Sequence, residues 1–557
     1  MTFIDDYPGE ARVIRYCFMT AFSAFSIAAL FGIIQALHRT GVFRGVVSNA
    51  DYYTILTGHG VLMVLVFTTF FIVGFFTWAV TRSLDRELVD RRFTWVWFLT
   101  MLLGTVLATI AILGGVIAQI PFNADVLYTF YAPLKAHPIF YLGLALIIVG
   151  SWLTGADHFR SYFAWRRDNP DQRIPLQTFM VLTTWLMWYL SSIGVAIEVV
   201  AFLLPWSLGL IQTIDPLLTR TLFWYFGHPV VYFWLLPAYV VWYTILPKLA
   251  GGRLMSDPLA RVVFVLFLLL STPVGFHHQY LDPGVPEGFK FIAMTNTMFL
   301  LLPSLLTAFT VVASIEHGAR QRGGGGLVSW LRDLPWANPA FSGAALAGIL
   351  FAAGGFSGMV NAGMNLNYLV HNTIWVPGHF HLTVGTAFAL TAMAVTYWLL
   401  PQLTGKRIQH RAAATIQPFL WFIGMTLMSN AMHRAGLAGV PRRTATPYDG
   451  TTYSNVIGGI NEMQLQIAIG GSLLFIAGLT FSWIVFSTML SPRVEEIPVN
   501  GDLPAPLSGA EDGPRVLDNL KLWTGIAIVL VVLAYAVPIW SFVANGLFAP
   551  GSAPVPV

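Results

Sequence analysis

Charged side chains are scarce in this sequence. Only 10% of its 557 residues are Asp, Glu, Lys or Arg, against about 25% in soluble globular domains. Hydrophobic residues make up 56% of the chain, and the mean hydropathy is +0.68. So few charges cannot cover the surface of a water-soluble protein of this length. The composition therefore excludes a soluble multidomain enzyme, and the apolar content excludes a disordered or fibrous chain.

Cysteine is nearly absent, because Cys17 is the only one in the chain. A single thiol excludes an intrachain disulfide, a CxxCH haem attachment, an iron–sulfur site and a thiolate copper centre within this chain. Chemistry that needs a thiolate-bound metal must therefore come from a partner subunit. The net charge of +4 is small for this length and indicates no nucleic-acid partner.

Long apolar runs dominate what is present. Each has about 20 residues or more, enough to cross the roughly 30 Å hydrocarbon core of a bilayer as a helix. They predict an all-α polytopic membrane protein with about 13 transmembrane helices, in a single domain of residues 1–557 with a polar inner linker at 489–519. The predicted spans are 14–37, 57–81, 93–120, 137–154, 176–204, 221–247, 258–280, 288–315, 339–361, 374–401, 412–436, 462–488 and 522–546.

Basic residues divide unequally between the two sides of these spans. With the N-terminus on the cytoplasmic side, 22 of the 30 Lys and Arg residues fall in cytoplasmic loops and 8 in outer loops. Such an excess is typical of the cytoplasmic side of a membrane protein. The sequence therefore predicts a multi-pass protein of a bacterial or archaeal plasma membrane, with a cytoplasmic N-terminus and an outer C-terminus.

Six histidines are predicted to lie at one depth in the bilayer. Alternating helix direction puts all of them in the outer third of the membrane, on four different helices. An ionisable side chain in lipid is costly and marks a functional site. A hydrogen-bonded packing role is the alternative for any one of them, but not for the set: His59, His228, His277, His278, His379 and His381.

The spacing of these histidines separates their roles. His379 and His381 are two residues apart, so they point to opposite sides of a helix and can serve two centres. His277 and His278 are adjacent and follow Pro273, whose kink would let both rings reach one ion. With a third imidazole, His228, this set suits copper or zinc.

The remaining histidines suit haem. His59 and His381 form a candidate axial pair that saturates one iron, and His379 a single axial ligand that leaves a position open for a diatomic gas. Tyr232 lies one turn after His228 on the same helix face, where a phenol can supply a proton and an electron.

Hydroxyl groups continue from Tyr232 towards the cytoplasm. They lie on two helical stripes and predict a proton path, although small polar residues also occur simply where membrane helices pack. The stripes comprise Tyr239, Tyr243, Ser304, Thr307 and Thr310.

Two arginines, Arg442 and Arg443, are predicted in an outer loop next to the depth of the six histidines. Such a pair is suited to bidentate binding of carboxylates, such as haem propionates; the alternative is an ordinary surface pair.

These motifs resemble those of subunit I of the haem–copper oxidases, most closely the B branch, the ba3-type cytochrome c oxidases. The resemblance extends over nearly the whole chain. It rests on the segments LTGHGV (56–61), WYFGHPVVYFWLLPAY (224–239), STPVGFHHQ (271–279), PSLLTAFT (303–310), HNTIWVPGHFHL (371–382) and VPRR (440–443).

The resemblance implies a role for each site residue. His59 and His381 would bind a low-spin haem b, His379 a high-spin haem of a or o type, and the other three histidines the copper called CuB. Tyr232 would be catalytic and covalently joined to His228. The hydroxyl stripes would be a single K-type proton path, and the propionate contacts would be His371, Asn367, Arg442 and Arg443.

The implied function is that of a terminal respiratory oxidase. Such an enzyme reduces O2 to water with four electrons from a periplasmic cytochrome c or similar donor, and it couples this reaction to proton uptake from the cytoplasm and charge translocation. Its partners would be a subunit II with a thiolate copper centre, CuA, a small extra subunit and the lipid bilayer.

Two departures and two rivals accompany this resemblance. Val230 stands where the A branch has a glutamate, so no second, D-type path is expected. Asn367 stands where relatives carry an aspartate, which leaves the charge of a proton-loading site near His371 open. One rival is a nitric oxide reductase on the same scaffold, which Tyr232 disfavours. The other is a metal or proton transporter that would bind no haem.

Overall fold

The structure, a computed structural model, describes residues 2–43, 45–117, 122–445, 459–494, 501–549 and 555–556. Arg44, residues 118–120 of the third predicted span and residues 495–500 of the predicted linker lie outside them.

The described chain is helical almost throughout, because an apolar segment in lipid must satisfy its backbone hydrogen bonds internally. The α-helices are α1 (Phe3–Asp6), α2 (Pro8–His38), α3 (Asn49–Val61), α4 (Thr68–Leu84), α5 (Arg91–Ile117), α6 (Pro138–Asp168), α7 (Leu176–Ile197), α8 (Leu204–Ser207), α9 (Pro216–Gly227), α10 (Pro229–Leu249), α11 (Asp257–Ser271), α12 (Glu287–Phe299), α13 (Leu301–Gln321), α14 (Pro339–Ala362), α15 (Met364–Val370), α16 (Trp375–Leu382), α17 (Ala389–Thr404), α18 (Arg411–Leu437), α19 (Ile460–Leu490) and α20 (Leu520–Ala544).

Short elements of other kinds join or interrupt these helices. Within the described ranges, π-helical turns cover Leu62–Phe67, Glu198–Leu203 and Thr383–Phe388, and 3-10 turns cover Gly275–Gln279, Ser329–Asp333, Ala510–Asp512 and Arg515–Asp518. Strand β1 (Thr213–Ile214) pairs antiparallel with β2 (Val555–Pro556). Two of the π-helical turns directly follow α3 and α16, the helices that carry three of the six histidines.

Twelve helical segments of the described chain are long and apolar enough to cross a membrane, which confirms the prediction of an all-α polytopic protein. The count is one lower than expected because 258–280 is not one long helix. Helix α11 ends at Ser271 after 15 residues, and the turn Gly275–Gln279 follows. Pro273 has no backbone N–H and clashes with the preceding helical turn. The helix therefore ends before the proline instead of kinking there.

Two helix crossings depend on glycine. A Cβ atom on Gly104 of α5 would lie 2.5 Å from the Gly143 carbonyl oxygen of α6. Likewise, a Cβ atom on Gly470 of α19 would lie 2.6 Å from the Met428 backbone nitrogen of α18. Small residues let membrane helices approach to backbone contact. A larger side chain at either position would push its helix pair apart.

The described part of the predicted linker, 501–519, is bonded to the ends of the helices. Asp518 accepts from Arg261 Nη1 and from Arg173 Nε, each at 2.5 Å. The Arg261 side chain is 1% exposed, so this is a buried ion-pair network rather than a surface contact. The segment before the last helix therefore belongs to the folded body of the protein. The single-domain organisation over 1–557 stays a prediction.

Candidate metal centre

All six predicted histidines line one internal cavity of about 460 Å³. Its walls come from α3, α9, α10, α16 and the turn Gly275–Gln279, so residues far apart in the chain meet around one space. Of the other predicted site residues, Tyr232, Ser304, Asn367, His371, Arg442 and Arg443 also line it. Tyr239, Tyr243, Thr307 and Thr310 are not among the lining residues and lie along the helices leading away from it.

Three imidazoles form what we call the three-histidine cluster: His228, His277 and His278. Each can offer one ring nitrogen such that all three nitrogens lie within 4.8 Å of one another. His228 Nδ1 is 3.2 Å from His278 Nε2. Nitrogens this close, with no carboxylate or thiolate among the described residues that line the cavity, are the donor set that copper or zinc takes from imidazoles.

The break after α11 explains how two adjacent histidines reach one point. The 3-10 turn brings the ring centroids of His277 and His278 to 4.1 Å. The Thr297 hydroxyl lies 2.9 Å from His277 Nδ1 and itself donates to the Ala293 carbonyl. Because that hydroxyl proton is already used, His277 Nδ1–H must be the donor to it, which leaves Nε2 with its lone pair for a metal. The Trp224 ring stacks on His278 at 3.7 Å.

His59 and His381 are the predicted axial pair. Their rings are nearly parallel, 14° apart in plane, with centroids 6.4 Å from each other. His59 Nδ1 donates to the Ala28 carbonyl at 2.8 Å, and His381 Nδ1 donates to the Pro377 carbonyl at 2.7 Å. A carbonyl only accepts, so each Nδ1 carries the proton and each Nε2 keeps a lone pair. The pair therefore fits a metal with one imidazole on each side, as in a bis-histidine haem.

His379 is held in the same way on the opposite face of α16. Its Nδ1 lies 3.0 Å from the Gly354 carbonyl oxygen and 3.0 Å from Ser357 Oγ. A Cβ atom on Gly358 would lie 2.8 Å from its ring, as one on Gly32 would lie 2.9 Å from the ring of His59. These glycines leave space for the imidazoles. Sequence reasoning missed them and the carbonyl acceptors, because only the tertiary fold brings them to the histidines.

The outer arginines are short of partners. Within the described residues, the buried Arg442 Nε and Arg443 Nη2 have no hydrogen-bond acceptor. Burial and the adjacent Arg443 lower the pKa of Arg442 to about 10. Burial, followed by the charge of Arg442, lowers the pKa of His371 to about 4. Buried guanidinium groups without an anion fit the carboxylates of a haem, and so does their place in the cavity wall.

The hydroxyl stripes meet as pairs across α10 and α13. Tyr239 donates to Ser304 Oγ at 3.4 Å, and the Tyr243 and Thr307 oxygens are 2.6 Å apart. Thr310 instead donates to the Leu306 carbonyl. One further hydroxyl was missed: Ser314, one turn beyond Thr310, accepts from the backbone N–H of Met255 and donates to the Thr310 carbonyl. Its spacing of four residues from Thr310 would have predicted it.

Comparison with known proteins identifies the family. Residues 12–473 match the family model described as "Cytochrome C and Quinol oxidase polypeptide I". The chain belongs to the haem–copper oxidase subunit I family. It is 44% identical over 543 residues to cytochrome c oxidase subunit 1 of Thermus thermophilus, covering 95% of this chain and 94% of that one.

A second relative and a solved structure support the same family assignment. The alternative cytochrome c oxidase subunit 1 of Bradyrhizobium diazoefficiens is 26% identical over 470 residues, covering 78% of this chain and 75% of that one. A cryo-EM structure of a haem–copper terminal oxidase dimer matches with a TM-score of 0.88 and 38% identity, covering 95% of this chain and 92% of that one. As a subunit I homologue, the chain is a multi-span membrane oxidoreductase of a family that holds haem and copper, which rules against the transporter alternative.

Proposed function

We propose that this chain is the catalytic subunit of a B-branch, ba3-type terminal oxidase that reduces O2 to water. The observation that carries this proposal is the common cavity of the three-histidine cluster, Tyr232 and a lone histidine, His379. The Tyr232 ring centroid is 5.0 Å from that of His228, so the phenol lies at the cluster. Val230 supports the B branch, because it leaves no acidic group beside the cluster in that motif.

The donor groups assign the cofactors. His59 and His381 would hold a low-spin haem b, His379 a high-spin haem of a or o type, and His228, His277 and His278 the copper CuB. When bound, these metals supply electron transfer and an open site for O2. The protein orients the rings through their Nδ1 bonds, and it would receive the propionates at His371, Asn367, Arg442 and Arg443.

Tyr232 and the hydroxyl pairs would handle protons. Tyr232 would give a proton and an electron at the cluster, and its covalent bond to His228 is part of this proposal. The pairs Tyr239–Ser304 and Tyr243–Thr307, with Thr310 beyond them, would bring protons from the cytoplasm. Electrons and protons that arrive from opposite sides would charge the membrane, at about 2.3 kcal/mol per charge per 100 mV.

The electron source and the membrane orientation belong to the same proposal. Cys17 is buried and is the only thiol, so a subunit II with a CuA centre would pass electrons from a periplasmic cytochrome c or similar donor. A small extra subunit would complete the complex. The 22 to 8 division of basic residues supports a cytoplasmic N-terminus and an outer C-terminus in a bacterial or archaeal plasma membrane.

Substitution of His379 tests the assignment. In the purified complex, His379→Ala should lose CO binding and retain the reduced spectrum of haem b, because only the high-spin iron has an open position. The matched control is His433→Ala, on α18, where the Nδ1 of His433 is bonded to the Ser429 carbonyl; it should keep CO binding. Unchanged CO binding in His379→Ala would overturn the assignment, and turnover of NO without turnover of O2 would favour the reductase.

A further inference from the structure

Glu198 is a buried carboxyl group that the proposed oxidase chemistry does not use. Its residue exposure is 0%, and within the described residues neither carboxyl oxygen has a hydrogen-bond partner. Other buried acids of the chain do have partners: Glu10 accepts from Leu88 N, Asp157 from Thr94 and Trp97, and Asp257 from Arg261. An unpaired charge in such surroundings is very costly, so Glu198 must carry a proton or hold water.

The backbone at Glu198 is also unusual. Glu198 begins the π-helical turn Glu198–Leu203. The other two π-helical turns of the described residues begin three residues after His59 and two after His381. Such turns are rare and are frequent at functional sites. Two of them follow candidate haem ligands, and the third carries the unpartnered acid.

The π-helical turn that Glu198 begins contacts α9, the helix that leads to the three-histidine cluster. One turn before Glu198, a Cβ atom on Gly194 would lie 2.7 Å from the Leu222 carbonyl oxygen of α9, and α9 ends at Gly227, directly before His228. From α6, the Tyr141 phenol lies close enough to interact electrostatically with Glu198. No charged side chain of the described residues compensates the Glu198 carboxyl.

We propose that Glu198 is a proton-holding site, a carboxylic acid with bound internal water that exchanges its proton as the charge of the metal centre changes. The exchange moves one proton from the carboxyl oxygen to a water oxygen, giving a carboxylate and a hydronium ion, and it moves no electrons. A more positive, oxidised centre favours the carboxylate, and reduction favours the acid. This inference rests on the proposed function, because only a redox centre changes charge in this way.

Infrared difference spectroscopy tests this site. Reduced-minus-oxidised spectra of the purified complex should contain a carboxylic acid C=O band that shifts to lower frequency in D2O. The band should be lost in Glu198→Gln, which keeps the shape and removes the proton. It should persist in the matched control Glu10→Gln, another buried acid of a membrane helix that already has a backbone partner. Glu198→Asp should shift the band without abolishing it.

Three results would overturn the inference: no D2O-sensitive carboxyl band in the unsubstituted protein, an unchanged band in Glu198→Gln, or equal loss in Glu10→Gln. The first of these results is measured on the unsubstituted protein alone, so the inference can be tested even if a variant fails to assemble. Failure of the proposed function has a different signature, since the unsubstituted protein would then turn over no O2, whatever its carboxyl bands show.

Discussion

The axial pair and the three-histidine cluster orient their imidazoles by different means. His59 and His381 each place Nδ1 on a backbone carbonyl, which fixes ring and tautomer before any metal arrives. In the cluster, His277 Nδ1 is bonded to the side-chain hydroxyl of Thr297. The polar contact of His228 Nδ1 is a ring nitrogen of His278, another member of the cluster. Backbone carbonyls orient the rings of the first group, whereas neighbouring side chains orient those of the second. The cluster should therefore be the more sensitive of the two to changes in its neighbours.

The largest effect should follow loss of an axial ligand itself. His59→Ala should abolish turnover and remove the low-spin haem spectrum, because the partner ring alone leaves one position of the iron open. Extraction of haem and the reduced optical spectrum measure the result. An unchanged low-spin spectrum in this variant would show that the two histidines are not an axial pair.

A smaller effect, on copper affinity, is expected when the hydrogen-bond partner of His277 is removed. Thr297→Val removes the hydroxyl that accepts from His277 Nδ1–H, and loss of such an outer partner costs about 10–100-fold in metal affinity. Copper content after titration with a chelator measures it, and haem content should stay unchanged. Thr295→Val, on the same helix with a hydroxyl that bonds only the Phe291 carbonyl, is the control. Equal copper affinity in both variants would contradict the comparison.

The smallest effect should come from the stacked ring. Trp224→Leu removes the face that packs on His278, and an aromatic pair contributes about 0.5–1.5 kcal/mol beyond its buried area. Copper affinity should fall about tenfold or less, and therefore less than in Thr297→Val. The same chelator titration applies. A larger loss than in Thr297→Val would mean that stacking, not hydrogen bonding, orients the cluster.

The sequence predicted that the six histidines come together, which the shared cavity bears out, but not how their rings are held. Helical spacing put His379 and His381 on opposite faces of α16, and alternating helix direction predicted that distant histidines share one depth; both follow from local geometry. The end of α11 before Pro273 was not predicted, because a proline in an apolar run can either kink or end a helix. Glycines such as Gly358 were also missed, since the ring that needs their space comes from another helix.

The carbonyl anchors of the imidazoles have a consequence for how this protein can evolve. The acceptors for His59, His379 and His381 are main-chain oxygens, at Ala28, Gly354 and Pro377. Every amino acid supplies that oxygen, so no codon change at these positions deletes the acceptor, although Gly32, Gly354 and Gly358 must stay small to leave room for their neighbours. The hydrogen-bond acceptors of three candidate iron ligands are thus inherited with the path of the chain, and point mutations can disturb these rings only through the space around them.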